Sequence, residues 1–362
     1  MTREGGDGLS LQEDHLQQHR KQEEAVEERY SRQILFAPIG RAGQERLAQS
    51  RVLIVGMGAL GTVLANHLVR AGTGFVRITD RDYVEFSNLQ RQMLFDEEDA
   101  REALPKAEAA ARKLVRINSS VTIEPVITDV TARNIEELAA DVDLILDGTD
   151  NFQTRYLMND YAFRAKIPYV YGGVVSSRGM SAAFIPGRTP CFRCLLPEDG
   201  SAGGETCDTV GVLSPVVDIV ASYQSAEALK ILTGNLDAVR RSLFTFDVWH
   251  NRFYELKFPA PSKSCPTCAK GEYPALDLRR AAEVTTMCGR DSVQITGGQA
   301  LDLKVWQERL SRVGKVTANP YLMRVQLPEG ERLTLFPDGR VLVQGTSEPA
   351  RARTLYARYI GM

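Results

Sequence analysis

This sequence predicts an α/β fold: a mostly parallel sheet with helices on both faces and antiparallel strands at its C-terminal side, followed by a small α+β module. Three observations predict it. Arg51 to Asp80 reads as strand, glycine turn, helix and strand: an apolar run from Val52 to Val55, the turn Gly56-Met57-Gly58-Ala59-Leu60-Gly61, a helical pattern through Ala71, and a second apolar run ending on Asp80. Apolar strand runs and helix-period stretches then alternate to about Gly173, the pattern of a parallel sheet assembled from strand–helix–strand units. Beyond about Gly271 the elements become short and strand-rich, and no internal repeat is visible.

The first of these units is Rossmann-like, and its residue types fit phosphate binding. Gly56 permits a tight bend, Gly58 lets backbone approach a phosphate, and Gly61 lets the helix lie close against the sheet. Free amides at the helix start then face the anion. Asp80, ending the second strand, can accept hydrogen bonds from ribose hydroxyls. The stretch implies a nucleotide without saying which one.

Length and composition bound the rest. The chain has 362 residues, enough for two domains or one large domain with a smaller module. Hydrophobic content of 43% and charged content of 25% are ordinary for a soluble globular protein. A net charge of -2 argues against a nucleic-acid surface. The start, MTREGGDGLSLQEDHLQQ, has no apolar core and so is no secretory signal. Asn66, His67 and the glycine pattern make the apolar stretch from Val52 to Val69 a strand and helix, not a membrane span. These features read as a cytoplasmic protein.

In chain order, residues 1–28 are a charged tail or loosely attached helix. Residues 29–270 form the main domain. Arg29 and Arg32 precede the nucleotide unit and sit at its edge or are simply surface charges; a short helix from Gly43 to Ser50 leads into the first strand. After Asp80 the polar SNLQRQ segment, with Ser87, Asn88 and Arg91, reads as a loop, and a helix follows from about Pro105 to Ile117 with Lys106 in its first turn. These residues leave the C-terminal edge of the second strand, where open parallel sheets bind ligands.

Strands at Thr122 to Ile127 and Asp143 to Asp147 flank a helix from Ala132 to Ala139. The second strand runs into LDGTDN, so Asp150 and Asn151 are either helix caps or ligand groups ahead of the helix Phe152 to Ala165. Pro168 to Gly173 is a further strand, with Gly179 to Ile185 antiparallel beyond it. A long helix covers Pro215 to Leu232, and strands follow at Leu243 to Val248 and Arg252 to Phe258. Residues 271–362 form the module of unassigned role, with a strand near Val293, a helix from Leu301 to Arg312, strands near 321–327, 332–336 and 340–344, and a final helix from Pro349 to Tyr359.

Of six cysteines, four form two CxxC pairs, Cys191/Cys194 and Cys265/Cys268. Each pair can chelate one face of a tetrahedral ion, and four thiolates close a structural zinc site. A redox pair belongs at a helix N-terminus, whereas Cys265 and Cys268 lie in a Pro/Ser/Lys-rich connector. Cys207 stands alone in a Gly-rich loop, either incidental or an acyl-accepting thiol. Cys288 has no partner in sequence.

Together these motifs resemble the ThiF/MoeB family, bacterial relatives of the ubiquitin-activating enzymes. The resemblance is carried by RYSRQ (Arg29 to Gln33), VGMGALG (Val55 to Gly61), ITDRDYVEFSNLQRQ (Ile78 to Gln92), PKAEAA (Pro105 to Ala110), LDGTDN (Leu146 to Asn151), both CxxC pairs, and the run from Gly211 to Gly234. It covers about Arg29 to Cys268. It implies ATP-dependent adenylation of the C-terminal glycine of a ubiquitin-like sulfur carrier ending in Gly-Gly, for thiamine or molybdopterin synthesis. By the same resemblance Arg91 and Lys106 hold the phosphates, Asp80 the ribose, and Asn88 positions the nucleotide among Ser87 and Asn151. Asp150 takes the magnesium, and Arg32 reaches the neighbouring subunit's site, which implies a homodimer. Cys207 aligns with a cysteine that in some members links covalently to the carrier.

There are two departures. Ala59 stands where a further glycine is common, though the contact there comes from the backbone amide. After Cys268 there is no rhodanese-like cysteine loop, so the sulfur donor is a separate protein. The competing possibilities are adenylation of a peptide natural product or modification of a tRNA base by the same fold, a non-catalytic docking relative, and an NAD-dependent oxidoreductase. Arg91, Lys106 and Thr149-Asp150-Asn151 suit a triphosphate with magnesium better than a dinucleotide.

Overall fold

The computed structural model describes residues 27–196, 210–278, 284–286, 291–297 and 299–361. The charged stretch up to residue 26, Cys207 and Cys288 lie outside the described residues.

The main sheet has the order β3 (Thr122–Ile127), β2 (Phe75–Asp80), β1 (Arg51–Val55), β4 (Leu144–Asp147), β5 (Tyr169–Val175), β6 (Arg178–Phe184), β7 (Ser242–Asp247) and β8 (Arg252–Lys257). β3 through β5 pair in parallel, and β6 to β8 continue the sheet antiparallel. The connections explain the switch. A parallel partner needs a crossover, supplied here by helices, whereas β5 and β6 are joined by a tight turn in which Ser176 takes φ +58°.

β1 shows why the parallel strands read as continuous apolar runs. Its side chains alternate between two cores, Val52 and Ile54 on one face and Leu53 and Val55 on the other. The first face is covered by the helices Ala59–Ala71, Lys106–Ile117 and Ser214–Leu232, through residues such as Leu64, Ala110 and Val220. The second is covered by Ile135–Ala139 and Phe152–Ala165, with Tyr156 and Tyr161 against Tyr169 and Phe184.

The second sheet is antiparallel and runs β11 (Lys315–Ala318), β12 (Met323–Gln326), β13 (Arg332–Leu335), β14 (Arg340–Gln344), β10 (Ser292–Thr296) and β9 (Val284–Thr286). On β14, Val341 and Val343 join the core that includes Leu310 and Leu355 of the helices Leu303–Leu310 and Pro349–Tyr359. Leu342 points the other way and clusters with Leu322, Phe336, Tyr83 and Ala103, which sets the second sheet against the segment that follows β2.

Several details differ from the sequence expectation. Glu97–Glu102 is a helix with no apolar stripe, held by a reciprocal Asp96/Asp99 capping box. The helix expected from Ala132 begins at Ile135, because Asn134 Oδ1 accepts from Thr131 N at 2.8 Å and holds a turn there. The helix expected over Leu301 to Arg312 is confined to Leu303–Leu310, with Asp302 capping its start.

Candidate active site

The C-terminal ends of β1, β2 and β4 meet at one edge, and glycines set how closely. Gly56 takes φ +90°. A Cβ on Gly61 would stand 1.8 Å from the Gly56 carbonyl oxygen, and one on Gly56 would stand 2.7 Å from that of Gly148. Turn, helix and β4 therefore interlock through backbone alone. Gly58 is different: a Cβ there would meet Gln92 Nε2 at 3.9 Å, so space is left beside the helix N-terminus, where an anion is stabilised.

Asp80 closes the turn from below. One carboxylate oxygen accepts from Met57 N at 2.7 Å and the other from Asp82 N at 2.7 Å. Burial raises the Asp80 carboxyl above its ordinary range, and Lys106 opposes that rise. Lys106 is 3% exposed, with Nζ 3.3 Å from Asp82 Oδ2, and its backbone N donates to Asp82 O at 2.9 Å. The loop after β2 and the helix carrying Lys106 are thus fastened together.

At the start of SNLQRQ, Phe86–Asn88 forms a 3-10 turn. Asn88 is buried and accepts from Glu85 N at 3.1 Å, so its carbonyl shapes the turn. Arg91 lies back along the turn, Nη1 donating to the carbonyl of exposed Ser87 at 3.0 Å. The two readings of Asp150 and Asn151 separate here. Asn151 is the cap, accepting from Thr154 N at 2.9 Å, while Asp150 is exposed and makes no hydrogen bond among the described residues.

Two groups at this edge escaped the sequence reading. Asp147 is fully buried, where Arg155 Nε donates at 3.2 Å, the Tyr169 hydroxyl at 2.9 Å and Thr149 N at 2.8 Å. Burial raises Asp147 and Arg155 counters it. Arg81 pairs with Asp129 at 3.1 Å. The available signal was position: Asp147, Arg81 and Asp129 each lie at or just past a strand's C-terminal end, as Asp80 and Asp150 do.

The ThiF family model matches residues 30–267. The chain belongs to the ThiF family. It is 45% identical over 338 residues to the sulfur carrier protein ThiS adenylyltransferase of Bacillus subtilis, covering 92% of this chain and 99% of that protein. The molybdopterin-synthase adenylyltransferase of Escherichia coli is 37% identical over 243 residues, which are 67% of this chain and 96% of that protein. Escherichia coli MccB with ATP has the same fold at a TM-score of 0.58 and 22% identity, covering 66% of this chain and 74% of that one. At 338 residues the Bacillus match extends past residues 30–267 into the second sheet, whereas the Escherichia coli match, at 243 residues, is about the length of the family region. A ThiF-family protein thus exists with and without the C-terminal module.

On the sheet face of Leu53 and Val55 this ThiF-family chain gathers its two CxxC pairs. All four sulfurs lie within 4.8 Å of one another, with Cys191 to Cys265 and Cys194 to Cys268 both at 3.4 Å. Four sulfurs at about 2.3 Å from one tetrahedral ion stand about 3.8 Å apart, so the set fits zinc. None of the four is in a disulfide. Cys191 does precede a short helix, Phe192–Leu195, but it faces the other pair. Buried Asp160 ties the two segments, receiving Arg193 at 2.9 Å and the Thr267 hydroxyl at 2.7 Å.

Arg32 is exposed beside Leu35 and Phe36, which are 73% and 59% exposed. No helix among the described residues is long and apolar enough to cross a membrane.

Proposed function

We propose that this chain adenylates the C-terminal glycine of a ubiquitin-like sulfur carrier, of the kind used in thiamine or molybdopterin synthesis, preparing it for thiocarboxylate formation. The observation that carries this reading is the match to a ThiS adenylyltransferase along 99% of that protein's length. The edge suits the chemistry. A glycine carboxylate is ionised at neutral pH, so no general base is needed. Its oxygen attacks the α-phosphorus of ATP; the new C–O–P bond forms as the bond to the β-phosphate oxygen breaks and pyrophosphate leaves. The obstacle is bringing one anion onto another, so cations and alignment do the work.

In this reading the Gly56–Gly61 turn, through Gly58 and the Ala59 amide, takes the phosphates with Arg91 and Lys106, and Asp80 takes the ribose. Ser87, Asn88 and Asn151 shape the surrounding walls. The exposed Asp150 carboxylate would hold a magnesium ion, for which it is a suitable hard ligand, and that ion would supply positive charge beside the departing phosphates. Cys207 serves as an acyl acceptor in a later step, and sulfur comes from a separate protein. The test is ATP–pyrophosphate exchange with purified carriers ending in Gly-Gly. Exchange appears only with a carrier and magnesium; a chain that exchanges with none of them is not this enzyme.

Arg32 projects with Leu35 and Phe36 from the chain's own surface, which fits a residue lent to a second subunit of a homodimer. Arg32→Ala and Asp150→Ala proteins, each inactive, recover about a quarter of parental exchange when reassorted in equal amounts, because half the dimers are mixed and hold one intact site. Absence of recovery contradicts the shared site. The four cysteines hold one structural zinc per chain, and stripping it with a chelator lowers Tm by roughly 10 °C. An unchanged Tm with no zinc released rules the metal out.

A further inference from the structure

The C-terminal module touches the main domain beside the nucleotide edge. Arg340 on β14, 4% exposed, donates to the Arg81 carbonyl at 3.1 Å. Gln294 on β10, 5% exposed, donates to Asp129 Oδ2 at 3.2 Å, the oxygen that also pairs with Arg81. Gln344 accepts from the Tyr83 hydroxyl at 3.1 Å, and the Arg324 guanidinium lies 4.1 Å from the centre of the Tyr83 ring. Asn319 donates to the Glu102 carbonyl at 2.9 Å.

The segment so held is Arg81 to Tyr83, immediately after the ribose-side Asp80 and including Asp82, the partner of Lys106. Asp129 follows β3, the next strand outward, and Thr128 N donates to the Asp80 carbonyl at 3.1 Å. In this class of sheet the phosphates lie at the β1 turn and the nucleoside extends across the C-terminal ends of the strands beyond it. On the ATP reading, the base end would fall between Asp80 and the Arg81–Asp129 pair. Burial alone would pull the Arg81 guanidinium down; Asp129, Asp82 and Asp150 hold it above its usual value, so it stays charged between carboxylates from both sides of the edge.

We propose that the module is a brace for the adenosine subsite, in which Gln294 and Arg340 act as positioning residues that fix the Arg81–Asp129 wall and thereby set ATP affinity without touching ATP. The proposal rests on the ATP reading above. It accounts for a module present in some relatives and beyond the span of others: it tunes a subsite and takes no part in the chemistry.

The test uses the full chain and measures magnesium-ATP and inorganic tripolyphosphate binding by calorimetry, alongside Tm. Gln294→Leu keeps the volume and removes one hydrogen bond to a charged acceptor. It weakens ATP binding about fivefold while tripolyphosphate binding and Tm stay close to the parent's. Asp129→Asn weakens ATP similarly, and the double variant is no weaker than Asp129→Asn alone. Tyr83→Phe, which deletes only the hydroxyl on Gln344, carries the same expectation and serves if Gln294→Leu misfolds. A parent that binds no ATP defeats the functional reading. A parent that binds ATP with variants that bind equally well, or that lose ATP and tripolyphosphate alike, defeats the brace alone.

Discussion

Asp150→Ala loses at least about 1000-fold in ATP–pyrophosphate exchange while its Tm stays within about 2 °C of the parent's. The two halves of that result have separate physical causes. The side chain is exposed and makes no hydrogen bond among the described residues, and the adjoining helix is capped by Asn151, so the fold does not depend on it. Its proposed role is confined to magnesium, whose loss removes the charge that lets a carboxylate approach a triphosphate. Exchange retained in the variant, or lost together with Tm, contradicts the assignment.

Arg155→Met has the opposite signature, a large loss of stability: about 3–5 kcal/mol at neutral pH, read from denaturant unfolding. Asp147 is 0% exposed and Arg155 is its ionic partner, also bridging to the Thr149 and Gly172 carbonyls at 2.7 and 3.2 Å. Removing the guanidinium leaves a buried carboxylate with only neutral donors. The pH dependence follows in sign. Burial already raises the folded-state Asp147 carboxyl, and without Arg155 nothing cationic opposes that rise. A group whose folded value lies above its unfolded value contributes stability below the unfolded value, about pH 4, and loses it as pH rises through the folded value. The variant's deficit is therefore smallest in acid and widens toward neutrality. A deficit that is constant with pH assigns the loss to packing and not to the buried charge.

These two residues show how far the sequence could be read. Asp147 and Asp150 sit three apart in LILDGTDN, and position alone marks both as edge carboxylates. Which one turns inward is decided by Tyr169 and Arg155, from the next strand and helix, and no local pattern encodes that. The main sheet was legible because burial on both faces turns its strands into apolar runs and glycine marks the turn where Gly61 meets the Gly56 carbonyl. The helix Glu97–Glu102 was not, because caps and not apolar periodicity form it. β9 and β11, at the two ends of the second sheet, did not show either: β9 has three residues, and β11 has four of which none is buried. The cysteine cluster was legible from CxxC spacing, whereas Asp160, which ties both cysteine segments together, looks like any helix aspartate. The module's link to the nucleotide edge is the extreme case, since Gln294 and Asp129 are 165 residues apart.

Carrier adenylation is tested most directly by intact-mass analysis of a carrier ending in Gly-Gly after incubation with this chain, ATP and magnesium. The carrier gains one AMP joined through its phosphate to the terminal carboxylate, with pyrophosphate released in equal amount. A carrier that stays unmodified, or that gains AMP when its terminal glycine has been removed, contradicts it.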